Sequence, residues 1–359
     1  MKRSLQVGIA LVGAVIIVAA GAYEVLSSSN GANPCASTDP TTSNSTPSQA
    51  SPFQSAVTAV PLVMSAPAGS PLPHGSRAAA SAGPIEVVAA ENFWGSLVSQ
   101  LGGNHTSVLS IVDDPNSDPH EYEANSSDAV AISDAQLVIV NGVGYDDWAL
   151  QLISADNNPS QVVLNVGDLN GVSVSGGIVT GNPHLWYNPV YVNRTVAAMY
   201  SDLVSIRPSA AADFQADYAT LNSSLAELYG RATEIRSDFA GTEVASTESI
   251  FVYLANFTRL DLVSPPAFME AIAEGNDPPA QSVVEFQCQL ESGHVKVLVF
   301  NEQTVTPITT NMKAIAAAHN VTAVGVTETI QPPGVSFQVW MNAQYLQLQN
   351  ALNADELGQ

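Results

Sequence analysis

Basic side chains, histidine and cysteine are all scarce in this chain of 359 residues. Ten lysines and arginines stand against 33 acids, for a formal charge of −23, and there are six histidines and two cysteines. So few bases exclude the phosphate-binding patches of a nucleic-acid protein. Cys35 and Cys288 cannot build a thiolate metal motif or a disulfide framework. The first lies in low-complexity sequence and the second in a predicted helix, so free thiols are expected, with a single bridge as the alternative. Charged residues make up 12% of the chain, about half the usual share. Hydrophobic residues reach 46%, ample for a core. The acidic excess attracts cations, yet net charge by itself defines no site.

What is present falls into three stretches. Met1-Lys2-Arg3 precedes twenty uncharged residues, Ser4 to Tyr23. Residues 1–26 read as a signal peptide or an uncleaved membrane anchor, with the basic pair cytoplasmic and the remainder exported. Residues 27–84 are rich in Ser, Thr, Pro, Ala and Gly, a composition that cannot offset its ordering entropy. They read as a disordered tether, with a reach of roughly 40 Å. Ala32-Asn33-Pro34 before Cys35 is not a lipobox, so no lipid attachment is expected.

From residue 85 onward, apolar β-branched runs alternate with helical periodicity. Ile85 to Ala90, Val108 to Val112, Gln136 to Asn141 and Ser160 to Val166 are predicted strands. Near-continuous apolar strands separated by helices indicate a parallel sheet covered on both faces. Pro189 to Phe239 is helical in pattern and is broken at Pro208. Its second piece would run roughly 45 Å, enough to join two lobes, or the region is two ordinary helices with a kink. A second α/β unit follows, with strands expected at 261–264, 295–300 and 321–326 and a closing helix at 338–352.

Two phrases carry the chemistry: Asp118-Pro119-His120-Glu121-Tyr122-Glu123 and Asn182-Pro183-His184-Leu185-Trp186. Each sets a histidine directly after a proline, which ends any preceding helix and presents the imidazole from a stiff loop. Glu248 and Glu328 fall just past predicted strand ends in the second unit. Loops at the carboxyl ends of parallel strands are where such sheets bind ligands. Two imidazoles and two carboxylates so placed could close over one ion. Taken singly, each histidine reads as a surface loop residue and each glutamate as a solvated cap. His74, His105, His294 and His319 read as surface residues.

With these residues in view, the chain from about residue 85 to its end resembles the cluster-type substrate-binding proteins of manganese and zinc ABC importers, the periplasmic solute-binding protein family 9. The two histidine phrases are similar to that family's first and second ligand segments. Asn141-Gly142-Val143-Gly144-Tyr145-Asp146-Asp147-Trp148 is similar to its turn after the third strand. Thr247-Glu248-Ser249 resembles the third ligand segment, where His or Glu occurs. Thr327-Glu328-Thr329 resembles the fourth, where Asp is usual and Glu is a departure. Phe300-Asn301-Glu302 is similar to a structural acid near the cleft, which makes Glu302 the alternative ligand. The resemblance implies an α/β fold of two Rossmann-like lobes with parallel sheets, residues 85–205 and 241–359, joined by a long rigid helix at 206–240. The implied ligands are His120, His184, Glu248 and Glu328. The implied cargo is Mn²⁺ or Zn²⁺, with Fe²⁺ also compatible, and the implied partner is an ABC transporter permease.

Carboxylate-richness favours Mn²⁺ over Zn²⁺. Residues 121–183 contain no histidine, unlike the His-rich loop that many zinc-specific members carry there. Two rival readings are a secreted metallohydrolase and a metal-dependent surface adhesin. Catalytic zinc needs an open position and a nearby base, and no HExxH or comparable phrase is present, so an enzyme is not expected. The expected state is a monomer at the cell surface that binds no nucleic acid.

Overall fold

The computed structural model describes residue 35 and residues 83–115, 119–156, 158–172, 174–175, 178–179 and 181–356. The expected signal or anchor and nearly all of the tether lie outside the described residues. No helix among the described residues is long and apolar enough to cross a membrane. Both cysteines are in disulfide form, against the expectation of free thiols. Such a state belongs to an oxidising compartment.

The fold is α/β, with two four-stranded parallel sheets. The first has the order β2-β1-β3-β4, from β1 (Ile85–Glu91), β2 (Thr106–Val112), β3 (Leu137–Val140) and β4 (Val162–Asn165). Its central strands are buried almost throughout, while β2 on the edge is mostly half-exposed or exposed. Helices α1 (Asn92–Gly102), α2 (Ser126–Asp134), α3 (Asp147–Asp156) and α4 (Val166–Asn170) alternate with these strands, and a short hairpin, β5 (Val174–Ser175) and β6 (Ile178–Val179), follows. The predicted fourth strand was too long: Asn165 caps a helix through Asp168 N–H, and Val166 is its first residue.

Two helices then lead out of the first sheet. Asn188 caps α5 (Pro189–Ile206), with proline at the first helical position. Pro208 to Ala210 form a 3₁₀ turn, and α6 (Ala211–Phe239) continues for 29 residues, about 43 Å. Its buried residues Phe214, Leu221, Leu225, Leu228, Ala232, Ile235 and Phe239 recur at threes, fours and sevens, which makes one apolar stripe.

The second sheet has the order β10-β9-β7-β8, from β7 (Glu243–Ser246), β8 (Asp261–Leu262), β9 (Val297–Asn301) and β10 (Thr322–Val326). Around it lie α7 (Val252–Thr258), α8 (Pro266–Ala273), α9 (Ala280–Glu291), α10 (Pro307–Ala318) and α11 (Phe337–Glu356). Helix α6 packs on α1 and α5 as well as on α7 and α11. One apolar core therefore contains strand residues of both sheets, such as Ile85, Leu137, Val244 and Val299, together with the α6 stripe. Arg231 adds a polar tie, donating to Asn342 and Gln349 of α11.

A core shared in this way predicts one cooperative unfolding transition for the two sheets. Leu225→Ala, at a fully buried position, should lower stability by about 2–5 kcal/mol. Urea unfolding followed by far-UV circular dichroism and tryptophan fluorescence checks both points. Two separated transitions, or an unchanged midpoint, would contradict the shared core.

Candidate metal centre

Three of the sequence-predicted ligands, His120, Glu248 and Glu328, follow the carboxyl ends of parallel strands, and His184 follows the antiparallel β5–β6 hairpin. His120 lies in the 3₁₀ turn Pro119–Glu121 after β2. His184 precedes the turn Leu185–Tyr187. Glu248 stands two residues past β7, and Glu328 two residues past β10. The fold brings these four side chains together. His120 Nε2 is 3.4 Å from Glu328 Oε2, and His184 Nε2 is 3.9 Å from that oxygen and 4.0 Å from Glu248 Oε1. His120, His184 and Glu328 each offer a donor atom within 4.8 Å of the other two. Donors about 2.1 Å from one tetrahedral ion stand about 3.4 Å apart, so the spacing suits a common centre. Glu248 and Glu302 lie outside this group: Glu248 is buried beside His184, whereas Glu302 is exposed.

Burial separates the four. His184, Glu248 and Glu328 are fully buried, whereas the His120 side chain keeps 22% exposure and marks the solvent side. The ring of Tyr145 meets that of His120 edge-on at 4.7 Å, and Trp186 meets His184 at 5.3 Å, which gives the donors an aromatic wall.

Each ligand is held by neighbours. Asn182 Oδ1 accepts from the His184 backbone N–H and lies 2.7 Å from His184 Nδ1. A proton on Nδ1 satisfies that contact and leaves the lone pair on Nε2, the form a metal ligand requires. His184 Nε2 is buried and makes no hydrogen bond among the described residues, although it faces two carboxylates. Burial, and secondarily the nearby His120, pushes the His184 pKa well below the usual imidazole range, so this imidazole is neutral. Asn182 Nδ2 also donates to Ser249 O, and Tyr253 donates to Asn182 O, which joins the second histidine loop to the segment after Glu248.

On the carboxylate side, Tyr145 donates to Glu328 Oε2 at 2.6 Å. Asn301 Nδ2 donates to Glu328 Oε1 at 2.6 Å and to Glu248 Oε1 at 3.0 Å. Gln303 Oε1 accepts from the backbone N–H groups of Glu328 and Thr329 and so seats the last ligand loop. Tyr187, three residues past the second histidine, donates to Gln344 Oε1 at 2.8 Å, with Thr327 O 3.1 Å from the same hydroxyl.

The turn that delivers Tyr145 carries strain. Gly142, Val143 and Gly144 have φ of 74°, 59° and 80°, and a β-branched residue there costs about 1–3 kcal/mol. Asp146 holds this turn by accepting from the backbone N–H groups of Asn141 and Gly142. Asn141 Nδ2 in turn donates to Pro183 O beside His184. Glu91, buried at the end of β1, pairs with Asp146. Burial, then the Asp146 charge, raises its pKa well above the usual carboxylate range. Burial raises Asp146 to about 6, opposed by the N–H groups of Gly142 and Asn141. Glu91 is therefore the protonated partner and Asp146 the acceptor.

Sequence reasoning missed the supporting residues Asn182, Tyr145, Asn301, Gln303 and Glu91. Asn182 and Tyr145 stand inside recognisable phrases, and Asn301 is one residue from the alternative ligand.

Comparison with known proteins agrees with the fold. The family profile described as ZnuA, zinc-uptake complex component A, periplasmic, matches residues 87–351. The manganese-binding lipoprotein MntA of Halalkalibacterium halodurans is 30% identical over 147 residues, 40% of this chain and 47% of that relative. The chain spans about half the length of the curated relatives it matches. The periplasmic zinc-binding protein TroA from Treponema pallidum superposes with a TM-score of 0.62 at 15% identity, covering 75% of this chain and 99% of that one. The solute-binding protein FpvC from Pseudomonas aeruginosa in complex with Mn²⁺ gives 0.62 at 19%, covering 76% and 99%.

The Glu91–Asp146 pair makes a stability prediction. Folded pKa values raised above the unfolded ones, near 4 for these side chains, mean that folded protein holds protons the unfolded chain has released. The pair's contribution is complete below about pH 4 and is lost as pH rises through about 6 and above. Glu91→Gln keeps a donor toward Asp146 without the titration. It should leave the melting temperature unchanged at pH 4 and raise it at pH 8. Parallel melting curves across that range would refute the assignment.

Proposed function

We propose, from the premise that this chain belongs to the ZnuA family of zinc-uptake component A proteins, that it captures one divalent transition-metal ion between its two sheets and hands it to the permease of an ABC importer. The observation that carries this reading is His184 Nε2. It is buried, lacks a hydrogen-bond partner among the described residues, and faces Glu248 and Glu328 across 4.0 and 3.9 Å. A lone pair and two carboxylates directed at one point are a set of acceptors, and a cation is what satisfies them. His120, Glu248 and Glu328 complete an N₂O₂ set.

The ion we favour is Mn²⁺ over Zn²⁺. The set has as many carboxylates as imidazoles and no thiolate, and harder oxygen donors suit manganese. The absence of histidine from residues 121–183 points the same way. The family's name does not decide the matter, since one relative is named for manganese and FpvC carries Mn²⁺ in one structure and Ni²⁺ in another. With four side chains converging on the ion, the reading is capture rather than catalysis. An exported protein held at the outer face by its N-terminal segment fits this role, and so do the oxidised cysteines.

Metal content and competitive titration of the full chain test the reading. One tightly held ion per chain is expected, with Mn²⁺ retained in preference to the other candidates under matched conditions. His120→Ala removes the most exposed donor and should abolish stoichiometric binding with little effect on folding. Affinity should also fall as pH is lowered, because protons compete with the metal for the donor side chains. Folded wild-type protein without a stoichiometric ion would sink the proposal.

A further inference from the structure

We propose that Asn301 is a positioning residue for the carboxylate pair, and that through this pair it sets the ion preference of the centre. The inference rests on the capture reading above. Asn301 is the last residue of β9, which lies between β7 and β10 in the sheet. The strands on its two sides are those that lead to Glu248 and Glu328. The register places Asn301 beside Val326, two residues before Glu328, and Val299 beside Ser246, two residues before Glu248. The end of the middle strand therefore reaches both acids, and its side chain is buried between them.

One nitrogen, with two N–H groups, lies 3.0 Å from Glu248 Oε1 and 2.6 Å from Glu328 Oε1, and Thr304 Oγ1 lies 2.9 Å from it. The amide cannot reverse at low cost. Its Oδ1 accepts the Gln303 backbone N–H at 2.9 Å, and a flipped amide would turn its oxygen toward two carboxylates. Two buried like charges with no donor between them would swing apart. The amide instead ties one oxygen of each to a shared point and fixes the planes of both.

This arrangement bears on selectivity. Against intrinsic affinities that place Zn²⁺ above Mn²⁺, a site favours manganese only by imposed geometry. Partners behind the ligands impose it, and losing one typically costs about 10- to 100-fold in affinity. Releasing the carboxylates lets the site relax toward the intrinsic order, so manganese loses more than zinc.

The test is parallel competitive titration of Mn²⁺ and Zn²⁺ on the full chain, comparing wild type, Asn301→Ala and Asn301→Ser. Folding of each is checked by thermal melting. Asn301→Ala should weaken Mn²⁺ binding about 10- to 100-fold and Zn²⁺ binding less, which moves the affinity ratio toward zinc. Asn301→Ser keeps one donor and should fall between, and its ratio decides the question if the alanine variant does not fold. The electron paramagnetic resonance lines of bound Mn²⁺ should broaden in both variants as the carboxylates take several orientations. An unmoved ratio, including equal loss of both ions as a merely structural role would give, overturns the proposal. A wild type that binds no ion removes it together with the capture reading, whereas a wild type that binds and variants that match it remove the positioning role alone.

Discussion

Two carboxylates taken out of water at one point are the constraint on which this structure turns. An isolated buried carboxylate costs several kcal/mol, and a second one nearby raises that cost. Here Glu248 and Glu328 are both fully buried, and two neutral groups, the Asn301 amide and the Tyr145 hydroxyl, donate to their side chains. The buried imidazole facing both, His184, is kept neutral chiefly by its own burial. Neutral donors moderate the charge without cancelling it. On the capture reading, a cation is what offsets two buried acids at one point, a more selective demand than the diffuse acidity of the whole chain.

The rest of the fold keeps these four groups from relaxing away from each other. Parallel sheets place the loops of His120, Glu248 and Glu328 at strand carboxyl ends, so the two lobes can present side chains to one point. The shared core along α6 and α11 limits how far the lobes can move apart. Closer in, polar links cross between the lobes: Tyr145 to Glu328, Asn182 to Ser249, Tyr253 to Asn182 and Tyr187 to Thr327. The Glu91–Asp146 pair lies beneath this layer and holds the strained turn that supplies Tyr145. A strained turn and a buried acid pair therefore sit next to the centre, as expected where placement outweighs stability.

Much of this was legible in the sequence because it is local. Apolar runs with β-branched residues marked the strands, and the spacing from Phe214 to Leu228 marked the long helix. Proline before His120 and His184 marked two stiff loops. What escaped depends on partners distant in the chain. Strand parity decides that Asn301 faces the cleft and Glu302 faces out, and one residue of uncertainty at a strand end reverses that choice. Tyr145 finds its acceptor 183 residues away, and no periodicity signals such a pairing. The short helix at Val166 was hidden because its capping residue, Asn165, also ends a strand. The oxidation of the cysteines depends on compartment and proximity, neither of which spacing conveys.

The departure at Glu328 follows from the same physics. Where the resembled family usually has aspartate, this chain carries one methylene more, which adds reach and one more rotatable bond. A longer carboxylate left to itself would sample several positions and lose the preorganisation that metal selectivity needs. Here both of its oxygens are held at 2.6 Å, one by Tyr145 from the first lobe and one by Asn301 from the second. The backbone of its loop is fixed as well, by Gln303. The extra length lets the side chain span from the end of β10 to a tyrosine on the opposite lobe while still facing both histidines. Glu328 thus links the two lobes, and on the proposed reading the Asn301 amide would let the same side chain act as a metal donor as well.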